Sequence, residues 1–230
     1  YKVDAIPHII CGGFTKEETE SALIDLKFLG VDNILALRGD PMKNESTFVP
    51  TEGGNAYALN LIEQINEMNN GQYLYEETKN SPSNFCIGTA GYPEKHFEAM
   101  NLSTDMKHLK KKVDEGAEFI VTQLFYDNEK FFDFVKKCRE IGIKVPIIPG
   151  IKPITNLRHL SFIPKFFHVN FPESFSNELE KCKTDEEIKR VGIEWTTAQC
   201  KELVKADTPV IHFYTMGRGT AVKNIAKEIF

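Results

Sequence analysis

Asn33-Ile34-Leu35-Ala36-Leu37-Arg38-Gly39-Asp40-Pro41 reads as a buried strand that stops in a charged turn. Ile34 to Leu37 is an unbroken apolar run, the pattern of a parallel strand covered on both faces. A fixed cation, a glycine, a carboxylate and a proline follow it. The strand cannot run on through Gly39-Asp40-Pro41, because proline has no ladder donor and restricts the residue before it. Arg38 and Asp40 are therefore expected at the carboxyl end of a buried strand, where α/β folds bind their ligands. A surface ion pair capping a loop is the competing reading.

Working outward, further short apolar runs stand at 5–10, 85–90, 119–125, 145–151 and 208–214. Helical patterns separate them. Thr15 and Glu18 form a capping box ahead of a helix carrying Leu23, Leu26 and Leu29, and Gly30 stops it. The segment 42–55 is a loop long enough to carry function. Tyr57 opens the next helix, and the charged stretch 72–84 is expected to be an exposed insertion. A basic helix is expected over 104–115. An amphipathic helix over 128–141 has Phe131, Phe134, Val135 and Cys138 on one face. Shorter helices at 155–163 and 172–182 precede the longest, 185–204, and a last helix runs to the end of the chain. Strand, helix, strand at this spacing is the signature of right-handed βαβ units. A (β/α)8 TIM barrel takes about 250 residues. The expectation is an α/β protein carrying about six βα units of such a barrel. Residues 1–230 would form a single, incomplete β/α-barrel domain with the first two units missing, since the chain begins at Tyr1 almost within a strand. A doubly wound sheet is the alternative, weakened because no Gly-x-Gly-x-x-Gly follows any strand.

Hydrophobic residues make up 41% and charged residues 27% of the 230, with 28 basic against 33 acidic side chains and a net charge of −5. That balance argues against a nonspecific nucleic-acid binder. No apolar run is long enough to make a membrane-spanning helix. Cys11, Cys86, Cys138, Cys182 and Cys200 are scattered and form no Cys-x-x-Cys. Free thiols and a cytoplasmic location are expected, and no metal site.

The groups expected at strand ends are His8, Arg38 and Asp40, Tyr92 and His96, Gln123 and Asp127, Lys152, and Arg218. The set is poor in nucleophiles. There is no Gly-x-Ser-x-Gly, no His-Glu-x-x-His and no phosphate-binding P-loop. Such a mouth suits a bound cofactor that carries the difficult chemistry while the protein supplies position and field. Lys107-His108-Leu109-Lys110-Lys111-Lys112 is the densest cationic stretch. A solvated helix face and a pyrophosphate contact are both open readings of it.

Leu35-Ala36-Leu37-Arg38-Gly39-Asp40-Pro41 resembles the hallmark of methylenetetrahydrofolate reductases. The likeness continues through Pro7-His8-Ile9-Ile10-Cys11, Tyr92-Pro93-Glu94-Lys95-His96, Lys111 to Ala117, Thr122 to Asp127, Ile148 to Pro153 and His212 to Arg218, in collinear order. The resemblance implies a flavin-bearing barrel that uses NADH or NADPH to reduce methylenetetrahydrofolate to methyltetrahydrofolate, by a ping-pong relay through FAD. It implies FAD contacts at His8, Arg38, Gly39, Asp40, Tyr57, Ala58, Ala90, Tyr92, His96, Asp105, His108, Lys111 and Lys112. It implies folate contacts at Asp40, Gln123 and Arg218, with Asp40 and Gln123 catalytic. A homo-oligomer is a possible assembly, and no nucleic-acid or membrane partner is implied. His108 and Lys111 depart from the asparagine and arginine of some members. His159 stands where some members use glutamine, and it is not claimed as a site. The family's general-acid glutamate, in a Glu-Phe-Phe-Pro context, is absent from this sequence. A non-catalytic nucleotide- or partner-binding barrel fragment is the alternative function.

Overall fold

The computed structural model describes residues 3–41, 45, 47–75 and 81–230. Its elements run β1 (His8–Ile10), α1 (Lys16–Phe28), β2 (Asn33–Leu37), α2 (Ala58–Asn69), β3 (Cys86–Gly91), α3 (Leu102–Asp114), β4 (Phe119–Leu124), α4 (Asn128–Glu140), β5 (Ile147–Ile151), α5 (Arg158–Phe167), α6 (Glu173–Glu180), α7 (Asp185–Lys205), β6 (His212–Phe213) and α8 (Thr220–Ile229). The six strands follow sequence order in one sheet, β1-β2-β3-β4-β5-β6. The pairs β1–β2, β2–β3 and β5–β6 are parallel. A doubly wound sheet reverses its strand order at a switch point. Here there is no reversal, so the sheet has the order that successive βα units of a barrel give.

The chain divides into two compact units. One holds the chain up to Ala90 together with Lys107–Ile120. Its core gathers Leu23, Ile34, Ala36, Leu61, Ile65 and Ile87, all essentially inaccessible to solvent. The period of two in β2 sends Ile34 and Ala36 into this core. Leu35 faces the other way, abreast of His8 on β1 and Gly88 on β3. Helix α1 starts on the expected capping box: Thr15 Oγ1 accepts from the Glu18 N–H at 3.2 Å, and the Thr15 N–H donates to Glu18 Oε2 at 2.9 Å.

The described ends of the stretch 72–84 are mostly exposed, as expected, but they are tied down at several points. Lys27 Nζ donates to the carbonyls of Ser81 and Pro82 at 2.9 and 3.0 Å. Ser83 is buried and donates to Asn69 Oδ1 at 2.7 Å. The Leu74 N–H donates to Glu20 Oε2 at 2.9 Å. Polar partners far away in sequence anchor a segment whose own composition reads as solvated. Residues 76–80 lie outside the described residues, as do 42–44 and 46 of the expected functional loop.

The second unit comprises Gly91–Met106 and Val121–Phe230. Phe125, Ile151, Cys200, Leu203 and Ile225 form one cluster. Leu124, Ile154, Ile163, Phe175 and Ile188 form another. Three helices, α5 to α7, intervene between β5 and β6. Trp195 of α7 stacks on Phe175 of α6 with ring centroids 4.4 Å apart and donates through Nε1 to the Tyr126 carbonyl at 3.1 Å. Strand β6 is shorter than the expected 208–214. Pro209 can donate no ladder bond, and pairing is confined to His212 and Phe213, with one more rung from the Tyr214 N–H to the Ile151 carbonyl.

Candidate functional site

In the first unit the expected site residues gather at the ends of β2 and β3. Arg38 leaves the last turn of β2 half-buried, with its guanidinium carbon 5.0 Å from the centroid of the Phe48 ring. The backbone beneath it is tied to β1, because the Cys11 N–H donates to the carbonyls of Leu37 and Arg38 at 3.2 and 3.1 Å. Burial pushes the Cys11 thiol up to about 11, against the opposing charge of Arg38. Gly39 has φ +89°, and a Cβ there would stand 3.4 Å from the Ile10 side chain. The positive φ favours glycine there, while the contact with Ile10 would be an ordinary one. Asp40 follows it, exposed.

At the end of β3, Lys112 Nζ donates to the Ala90 carbonyl at 2.6 Å. Two of the expected flavin contacts are thereby brought together. His108 and Lys111 stay exposed on α3, and Lys110 pairs with Asp114 one turn on. So the lysine run divides. Part is a solvated face, and Lys112 turns to a strand end. Tyr57 is 63% exposed ahead of Ala58, the first residue of α2.

His8 is corrected from the expected strand end. It is the first residue of β1, and it pairs with Leu35 in the middle of β2. The bond from the Leu35 N–H to the Pro7 carbonyl, at 2.9 Å, sets this register just ahead of the strand.

In the second unit, Tyr92 meets His96 edge-on, with centroids 4.7 Å apart. The His96 N–H donates to Asp105 Oδ2 at 2.8 Å, so one oxygen of Asp105 already holds the loop. Glu94 accepts from both the N–H and Nδ2 of Asn170, at 3.1 and 2.6 Å. Sequence reading missed this clamp. No local pattern carries a bond spanning 76 residues. Gln123 stands next to the end of β4, where its Oε1 accepts from the Leu124 N–H at 3.0 Å. That fixes the amide so that Nε2 is its donor.

Across β5, the Tyr214 hydroxyl donates to the Thr122 carbonyl at 2.8 Å, and Thr122 Oγ1 accepts from the Gly150 N–H at 2.9 Å. Burial pushes the Tyr214 phenol up to about 12, so it remains a donor. Lys152, just past β5, is only 7% exposed, and burial lowers its basicity. His159 is likewise lowered, first by burial and then by the charges of Lys152 and Arg218, against Asp185. Arg218 stands exposed before α8. Asp127 is removed from the candidate list by its geometry. Its Oδ1 caps α4 by accepting from the Glu129 N–H at 3.0 Å.

A family model described as methylenetetrahydrofolate reductase matches residues 1–229. The chain belongs to the methylenetetrahydrofolate reductase family. Among curated members, it is 39% identical to methylenetetrahydrofolate reductase (NADH) 1 of Arabidopsis thaliana, over 93% of this chain and 36% of that protein. It is 36% identical to a probable methylenetetrahydrofolate reductase (NADPH) of Caenorhabditis elegans, over 99% of this chain and 32% of that one. It is 32% identical to the 5,10-methylenetetrahydrofolate reductase of Salmonella typhimurium, over 94% of this chain and 67% of that one. The chain therefore spans only part of the length of these relatives. A solved structure of an uncharacterized Clostridium thermocellum protein that binds two copies of 5-methyl-5,6,7,8-tetrahydrofolic acid aligns with a TM-score of 0.50 at 13% identity. It covers 98% of this chain and 94% of that one, a likeness of fold. Methylenetetrahydrofolate reductases are oxidoreductases that use FAD and NAD(P)H. Among the described residues, no helix is long and apolar enough to cross a membrane, and no cluster of three His, Cys, Asp or Glu side chains is placed to hold a metal.

Proposed function

We propose that this chain is catalytic sequence of a flavin-dependent enzyme that reduces 5,10-methylenetetrahydrofolate to 5-methyltetrahydrofolate with NADH or NADPH. The observation that carries this reading is the family match over residues 1–229. The donor set supports it. Arg38 and Lys112 are cations held against strand ends, and beside them Gly39 gives a turn with no side chain and Asp40 an exposed carboxylate. That combination fits FAD, which needs positive charge for its pyrophosphate and a polar edge for its ring.

When bound, FAD would accept a hydride from NAD(P)H and deliver it to the folate. The protein's part is placement, which is worth on the order of 7–11 kcal/mol of barrier at best. In the first unit, Arg38, Lys111 and Lys112 would hold the pyrophosphate side, and His8, Gly39, Asp40, Tyr57, Ala58 and Ala90 the rest of the cofactor. In the second, Tyr92, His96 and Asp105 would add cofactor contacts. Gln123 would present Nε2 to substrate, and Arg218 would take an anionic group of the folate. Asp40 would place a fixed negative charge beside the pyrimidine edge of the ring. The test is direct. Full-length protein purified with its cofactor should be yellow and should bleach under NADH or NADPH without oxygen. Colour should return on adding methylenetetrahydrofolate. Protein that takes up no flavin, or whose reduced form ignores the folate, overturns the reading.

A further inference from the structure

Lys152 is a cation whose side chain the protein largely covers while its ammonium stays open to a ligand. Its side chain lies just past the carboxyl end of β5 and is 7% exposed. Among the described residues, no hydrogen bond and no ion pair reaches its ammonium. The covered stem fixes the direction of the ammonium, which is a cation available to an incoming anion. Burial does lower the basicity of Lys152, but an arginine, a histidine and this lysine still share one neighbourhood. Lys152 and Arg218 both act on His159, and Asp185 is the carboxylate that opposes them there.

The strand period shows where the charge points. Ile151 enters the helix-covered cluster with Phe125, Leu203 and Ile225. Gly150 lies on the opposite face, where a Cβ would run into the Tyr214 ring. Lys152 is two residues on from Gly150 and shares its side of the chain. This is the face on which Tyr214 reaches across to Thr122. His159 cannot answer the charge. Its Nδ1 accepts from the Thr155 N–H at 3.2 Å, and its Nε2 is 3.1 Å from Asn156 Nδ2.

We propose that Lys152 is a substrate-contacting, specificity-determining residue, whose ammonium pairs with a carboxylate of the folate's glutamyl tail. This rests on the function proposed above, since a folate is the substrate that brings two carboxylates on one flexible arm. Arg218 is the exposed cation, and Lys152 supplies a second one on a covered stem.

The experiment compares full-length wild type with Lys152→Met, both loaded with FAD. Methylenetetrahydrofolate and the corresponding pteroate, which lacks the glutamate, are compared as substrates. Direct binding of folic acid is measured alongside, because it needs no turnover. Lys152→Met should raise KM for the glutamyl substrate about tenfold, the usual effect of losing one charge-assisted hydrogen bond. It should leave kcat, the KM for the pteroate and the KM for NAD(P)H nearly unchanged. The melting temperature without ligand should not fall. Equal losses with both folates, a loss directed at NAD(P)H, or a melting temperature several degrees lower would each overturn the proposal, the last because it reveals a partner within the protein. If wild type binds folic acid and Lys152→Met binds it equally well, the proposal alone fails. If wild type binds neither folate nor pteroate, the underlying function fails with it.

Discussion

Lys112 and Ala90 meet at 2.6 Å, a helix ammonium donating to the last part of a strand 22 residues earlier. The bond selects one lysine out of a run of similar ones and points it at the strand ends. A hydrogen bond from a charged group is worth about 1.5–3 kcal/mol. Lys112→Met should therefore weaken FAD binding by tenfold or more while the protein still folds. Titrating apo-protein with FAD and following flavin fluorescence checks this. Lys107→Met, on the exposed face of the same helix, should leave affinity unchanged. Equal losses from both would mean that only net charge matters.

Asp40 makes a different prediction, because it follows a glycine turn at a strand end, is exposed, and among the described residues makes no side-chain hydrogen bond or ion pair. Asp40→Asn should bind FAD and accept electrons from NADH, yet slow the folate half-reaction. Removing one preorganised electrostatic group from an active site costs about a hundredfold or more in rate. Anaerobic stopped-flow absorbance separates the two half-reactions. Wild-type rates in both would remove Asp40 from the chemistry.

Gly150 and Tyr214 fix the second unit's strand ends relative to one another. A Cβ at Gly150 would lie 2.1 Å from the Thr122 carbonyl oxygen and 2.6 Å from the Tyr214 ring. Backbone cannot yield by that much, so Gly150→Ala should cost about 3 kcal/mol or more, at the upper end for overpacking. Tyr214→Phe removes only the donor to Thr122 and should cost about 1 kcal/mol. Urea unfolding of the full-length protein measures both, and reversal of the order would refute the packing account.

These positions also show what a sequence can carry. The strand Asn33–Leu37 and the capping box at Thr15 are local patterns, and they fold as written. The six strands and their order followed from alternation of strand and helix signals. Long-range bonds were illegible. Nothing near Ser83 announces that Asn69 will bury it, and nothing near Glu94 announces Asn170. The length of β6 was overread, because an apolar run beside Pro209 has the composition of a strand without the donors for one. At the candidate site, residue types were legible through family likeness. The division of the lysine run and the isolation of Lys152 were not, since both depend on which side chain finds a partner.

His159 gives the pH prediction. Burial, Lys152 and Arg218 together hold its imidazole below the ordinary histidine range, and Asp185 only partly opposes them. In the unfolded chain this histidine titrates near its model value of 6.5. As pH falls below that value, the unfolded state binds a proton that the folded state still refuses. Stability depends on pH in proportion to the excess of protons bound by the unfolded chain, so His159 destabilises the fold progressively below pH 6.5 and is neutral above it. His159→Gln keeps hydrogen-bonding capacity toward Thr155 and Asn156 but removes the titration. Melting curves of wild type and variant should run parallel from pH 7 to 8 and then diverge, with wild type losing more stability on acidification. Curves that stay parallel down to pH 5 would mean that His159 takes up its proton freely in the folded protein, and that burial and the charges of Lys152 and Arg218 do not oppose it.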